Sequence, residues 1–160
     1  MRLTYLSAPD NLLYDKNTMR ITAVLDFDFA HVATVADEFF RSLGHGIGRL
    51  PGSGESDRDK IALRKAMLEG FPNSLPPSCK EVQWVTARAL DDALRDRDVE
   101  RPSTITNIAA LSDLFWLSSE ILPFKLCNEV VVGNSSPDQL VERRKDAESQ
   151  LVKYLGERGF

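Results

Sequence analysis

The sequence predicts an α+β fold, mainly α with a short N-terminal β-hairpin, and three features predict it. Residues 12–15 and 20–25 are β-prone runs joined by Lys16-Asn17-Thr18-Met19, in which Asn17 is suited to a turn. From Ala33 onward apolar residues recur at helical spacing. Glycine, proline and Ser-x-x-Glu signals divide that remainder into separate helices.

In order along the chain, the strand ending at Leu25 delivers two carboxylates, Asp26 and Asp28, into a turn rich in phenylalanine. A helix is predicted over residues 33–43, with Val35, Phe39 and Phe40 on one side, Asp37 and Glu38 in its first turns and Gly44 as its stop. The glycine-rich stretch 44–54 lacks both G-x-x-x-x-G-K-[ST] and G-x-G-x-x-G spacing, so it reads as a flexible connector. Ser56, with Asp59 as its capping partner, opens a helix to about residue 68 whose apolar side is Ile61, Leu63, Ala66, Met67 and Leu68. Prolines in 71–78 end it. Ser78 with Glu81 signals the next helix, with Val82, Val85, Ala89, Ala93 and Leu94 as its stripe.

After the charged run 95–102, a long helix is expected from about residue 104 to 127. It is apolar on most faces (Ile105, Ile108, Leu111, Leu114, Phe115, Leu122), as at the centre of a bundle, with Pro123 bending or ending it. The last helix opens at Ser136-Pro137-Asp138-Gln139 and carries Leu140, Ala147, Leu151, Tyr154 and Leu155.

A chain of 160 residues suits a single domain, 1–160, able to bury about 70% of its unfolded surface. A net charge of −4 gives no electrostatic footprint for nucleic acid or an anionic membrane. Cys79 and Cys127 make neither a disulfide framework nor a metal cluster, and their apolar helical surroundings predict buried free thiols. The first residues contain no secretory apolar core, and Asp113 and Glu120 interrupt the most apolar stretch, 105–124, so a cytoplasmic location is expected.

Hard oxygen donors at a strand end suit a magnesium ion, which is satisfied by one or two carboxylates, an amide and waters. The same residues also serve as turn and cap formers: an Asp-x-Asp at a strand end, or an Asn before Leu-Leu, is frequently only that. Order and spacing add a further signal. PDNLLYD (9–15) followed by ITAVLDFDFAHVATVADEFF (21–40) resembles the metal-binding half of the aminoglycoside phosphotransferase family, related to the choline kinases, and its fungal members in particular.

The resemblance covers residues 9–40 and implies the C-terminal lobe of a protein kinase-like fold, a helical bundle carrying a hairpin. In that architecture a loop H-x-D-x-x-x-x-N precedes the hairpin and an Asp-Phe pair follows it; the Asn and the second Asp hold the Mg²⁺ that bridges the ATP phosphates. Asn11 and Asp26 stand at those two positions, and Asp28, on the same side of an extended chain, is placed for a second ion or a metal-bound water. Asp37 resembles the family's structural acid behind the metal loop, although a first-turn acid is also what a helix dipole favours. His31 is either a phosphate or substrate contact or a packed, hydrogen-bonded histidine.

The chain departs from the pattern upstream. Leu6 stands where the family has the Asp that accepts the substrate proton, and Thr4 where it has His. A one-residue insertion moves Tyr5 to the acid's position, and Asp10 has the wrong offset. Thr34-Val35 replaces the common Asp-Pro or Ser-Pro. The family's N-terminal lobe, with its nucleotide-covering loop and phosphate-pairing Lys, precedes this loop, and the chain is expected to lack it.

The resemblance therefore implies an ancestral ATP-dependent phosphorylation of a small-molecule hydroxyl, inactive in this chain alone. Glu81, Asp91 and Asp92 are candidates for recognising a cationic acceptor. The alternatives are a non-catalytic binding or regulatory module, with a protein partner or second copy on the surface that faces the N-lobe, or a truncated gene product with no independent activity. The resemblance to fungal members, some of which sit in secondary-metabolite pathways, implies such a pathway as one setting. Neither a nucleic acid nor a membrane is expected as a partner.

Overall fold

A computed structural model describes residues 2–4, 12–25, 31–44 and 46–160. The fold is mainly helical with short antiparallel strands near the N-terminus, in agreement with the α+β expectation. The chain divides into two compact units, residues 1–112 and 113–160.

In the first unit the strands are β1 (Arg2–Thr4), β2 (Leu12–Asp15), β3 (Arg20–Val24) and β4 (His31–Ala33). They pair as two antiparallel ladders, β1 with β4 and β2 with β3. The β2–β3 hairpin is the one read from the sequence. Its turn is held by the Asp15 carboxylate, which accepts from the Asn17 amide at 2.8 Å and the Thr18 hydroxyl at 2.7 Å. The left-handed residue is Met19 (φ 55°) rather than Asn17, because the Asp15 cap fixes Asn17 and moves the sharp bend to the last turn position. The register slips between Leu13 and Tyr14, leaving Thr22 as the extra residue, and its hydroxyl donates to the Leu13 carbonyl.

These two donors, the Thr18 hydroxyl first and the Asn17 amide second, hold the Asp15 carboxyl below its ordinary 3.8. A carboxyl lowered in the fold stabilises it above the unfolded value and loses that contribution as pH falls through the folded value. Following Asp15 by NMR titration is expected to give a midpoint below 3.8, with the Thr18 hydroxyl environment changing at the same midpoint.

The helix predicted from Ala33 begins later. Residues 31–33 are strand because Val32 and Ala33 pair with Leu3 and Arg2, which satisfies their backbone groups in a ladder. Thr34 is extended (φ −84°, ψ 160°) and caps α1 (Val35–Asp37), which widens into a π-helical turn, Glu38–Ser42. Phe39 and Phe40 of that turn are buried, and the Phe39 carbonyl accepts from the Leu50 amide at 2.7 Å.

The glycine-rich stretch is packed structure, contrary to the flexible connector expected of it. Gly46, Gly48, Leu50 and Pro51 are buried, and the Gly46 carbonyl accepts from the Gln83 amide at 3.0 Å. α2 (Arg58–Glu69) starts from Asp57 rather than Ser56: the Asp57 carboxylate accepts from the Asp59 and Lys60 amides, and a charged cap also favours the helix dipole. It buries Leu63, Ala66 and Met67 as predicted, while Ile61 is exposed.

α3 (Trp84–Arg95) starts later than the Ser78–Glu81 signal suggests, because Cys79 and Val82 close a turn (Cys79 amide to Val82 carbonyl, 3.0 Å) ahead of it. Its phase is set by buried Trp84 and Ala87, so Val85, assigned to the core by the sequence, is 69% exposed. A 3₁₀ turn, Pro102–Thr104, follows. Asn107, at φ 59°, separates it from α4 (Ile108–Ile121), which explains the late start of the helix predicted from residue 104. Early in α4 the buried Ser112 hydroxyl accepts from the Arg64 guanidinium at 2.8 Å, and that guanidinium also donates to the Pro51 carbonyl.

The second unit holds the rest of α4, then α5 (Phe124–Cys127), α6 (Glu129–Gly133) and α7 (Pro137–Gly156). Pro123 ends α4, and Asn128 caps α6 by accepting from the Val131 amide. Ile108 and Ser112 at the start of α4 are buried, whereas Leu114 and Ile121 further along it and Leu122 just past its end are 62%, 56% and 67% exposed. α7 has the predicted cap, with Ser136 and Gln139 exchanging hydrogen bonds. Its Tyr154 is buried, donates to the Asp113 carbonyl at 2.8 Å and lies 3.5 Å beneath the Arg158 guanidinium.

Cys79 is half-buried and Cys127 exposed, so the expected burial of both thiols is corrected: Cys127 ends a four-residue helix instead of lying inside a long apolar one. Among the described residues no helix is long and apolar enough to cross a membrane.

Candidate functional site

The described strands flank, in sequence, the two segments that carry the candidate ligands. Thr4 lies opposite His31, and Leu12 lies opposite Val24. Residues 5–11 and residues 26–30, which separate these pairs in the sequence, lie outside the described residues. Paired antiparallel residues have Cα atoms about 4.5–5.5 Å apart, so Thr4 neighbours His31 and Leu12 neighbours Val24. The candidate ligands Asn11, Asp26 and Asp28, and Leu6 at the position of the base, lie outside the described residues.

His31 opens β4, in register with Thr4. The β1–β4 ladder was not foreseen; three residues carry too little alternation to distinguish a strand from the start of a helix. Asp37 is the third helical residue of α1. Its Oδ2 accepts from the Thr34 amide at 3.2 Å and hydroxyl at 2.9 Å, and its Oδ1 is 3.6 Å from Arg41 Nε. The carboxylate thus fastens the end of β4 to the helix that follows, combining a backbone tie with a first-turn acid.

The three acids considered for a cationic acceptor all have partners. Glu81 pairs with Lys60 at 3.4 Å, Asp92 with Arg95 at 2.7 Å and Arg88 at 3.6 Å, and Asp91 with Arg101 at 3.6 Å. Asp91 is the most enclosed of them. It lines a shallow, nearly filled apolar crevice, open to solvent, together with Phe39, Gly48, Phe71, Leu94 and Pro102. Hydrocarbon walls and a carboxylate offer nothing to a polyphosphate, so this crevice does not suit a nucleotide.

Burial pushes the Asp91 carboxyl above its ordinary 3.8; Arg101 pulls it back, Asp92 adds repulsion, and Arg95 adds a lesser attraction. The pH dependence is opposite to that of Asp15. A carboxyl raised in the fold favours folding most below the unfolded value, and its contribution declines as pH rises through the folded one. Urea unfolding against pH is therefore expected to show Asp91→Asn gaining on the wild type as pH rises through and above 3.8. A difference that stays flat across that range would contradict the assignment.

Among the described residues no cluster of three or more His, Cys, Asp or Glu side chains is arranged to hold a metal. No family model, no curated protein and no solved structure matches the chain.

Proposed function

We propose that this chain is a metal-binding lobe of aminoglycoside phosphotransferase type, with the kinase-like C-lobe architecture. Its ancestors transferred the γ-phosphoryl group of ATP to a hydroxyl of a small molecule, and the chain retains Mg²⁺-dependent nucleotide binding without turnover. What supports the reading is the strand pairing of the flanking residues: Leu12, next to Asn11 in sequence, is opposite Val24, two residues before Asp26, and Thr4 is opposite His31. Pairing of the residues that flank two segments reduces the ordering cost of bringing a ligand from each to one ion.

The donor set suits magnesium. Asn11 offers an amide oxygen and Asp26 a carboxylate, with Asp28 available to a second ion or a bound water. When bound, the ion supplies charge neutralisation between phosphate oxygens. Asp37 acts further back, tying the strand after the Asp26 loop to α1. Leu6 has no atom that accepts a proton, and a positioned base is worth about 10²- to 10⁴-fold in rate. Phosphoryl transfer by this chain is therefore not expected.

The test is calorimetric titration of ATP, with and without Mg²⁺, into the wild type and Asp26→Asn. Binding is expected to require Mg²⁺ and to weaken at least about tenfold in the variant, as for loss of a charged ligand worth about 1.4 kcal/mol or more. Folded wild type with no Mg²⁺-dependent heat, or a variant that binds equally well, would overturn the proposal. Turnover that survives Leu6→Ala and is lost in Asp26→Ala would mean that the base has been misassigned.

One observation favours the non-catalytic interaction module as a second reading. The β2–β3 hairpin leaves Leu13, Met19 and Ile21 exposed, and a lone two-stranded hairpin is only marginally stable in water. In that reading a protein partner or a second copy covers the hairpin, and calorimetry with ATP registers nothing.

A further inference from the structure

We draw no further inference here: the strongest candidate, the exposed apolar face that Leu114 and Ile121 give α4, is an unpartnered helix surface, and nothing in the structure shows what covers it.

Discussion

Gly46→Ala is expected to destabilise the first unit by about 3 kcal/mol or more, a large loss for one added methyl group. Two costs combine. Gly46 has φ 74°, and a left-handed conformation costs a residue with a Cβ about 1–2 kcal/mol. The added Cβ would also stand 2.1 Å from the Glu81 carbonyl oxygen and 2.9 Å from its carbon, both backbone atoms in the turn ahead of α3. Backbone cannot swing aside as a side-chain tip can, so the Gly46–Gln83 hydrogen bond is expected to break as well. Gly48 is the contrasting case: its nearest neighbours are the terminal methyl groups of Leu90 and Leu43, which can shift. Gly156→Ala is the control, because nothing lies within 4 Å of its Cβ position and a helical alanine is favoured by about 0.5–1 kcal/mol. Urea midpoints for the three variants at constant m-value measure the order. A Gly46→Ala loss below about 1 kcal/mol would mean that the loop yields, as a connector does.

The same residue explains one failure of sequence reasoning. A run of glycines without phosphate-binding spacing is equally consistent with a slack linker and with a segment pressed against its neighbours. The contact that decides between them, Gly46 on Glu81 and Val82, joins residues more than thirty positions apart. No local pattern reports it. It also holds Val82 in the turn before α3, so the stripe counted from Val82 was out of phase with the helix that begins at Trp84.

Local chemistry was legible where the determining atoms are close in sequence. The hairpin follows from two β-prone runs and an Asp-capped turn, and the start of α7 from Ser136, Pro137 and Gln139. Asp57 was overlooked beside Ser56 because both are good caps and only the amide directions at Asp59 and Lys60 distinguish them. The apolar pattern of α4 was read as burial, yet hydrophobicity specifies a tendency to be covered, not the element that does the covering. For the candidate site, the sequence supplied the donor types at 11, 26 and 28, while the β1–β4 ladder lies in segments too short to read.

Trp84 carries the second large expectation, because its two truncations are predicted to differ in size. The side chain is 1% exposed, meets Phe71 edge-on at 6.4 Å, and buries its indole N–H without a hydrogen-bond partner among the described residues. Trp84→Ala removes the whole ring system from the centre of the first unit and is expected to cost about 3–5 kcal/mol. Trp84→Phe also leaves a void, but it removes the orphaned donor, whose desolvation penalty is about 1–3 kcal/mol, so the two terms oppose each other. The phenylalanine variant is therefore expected to lie within about 1 kcal/mol of the wild type in urea unfolding, well separated from the alanine variant. Equal losses for both would mean that the indole N–H is satisfied in solution and that ring volume alone governs this position. The outcome also bears on the ligand test. Trp84 adjoins Gln83, whose amide the Gly46 carbonyl holds, so Trp84→Phe supplies a folded control in which Mg²⁺-dependent binding at Asp26 is expected to persist.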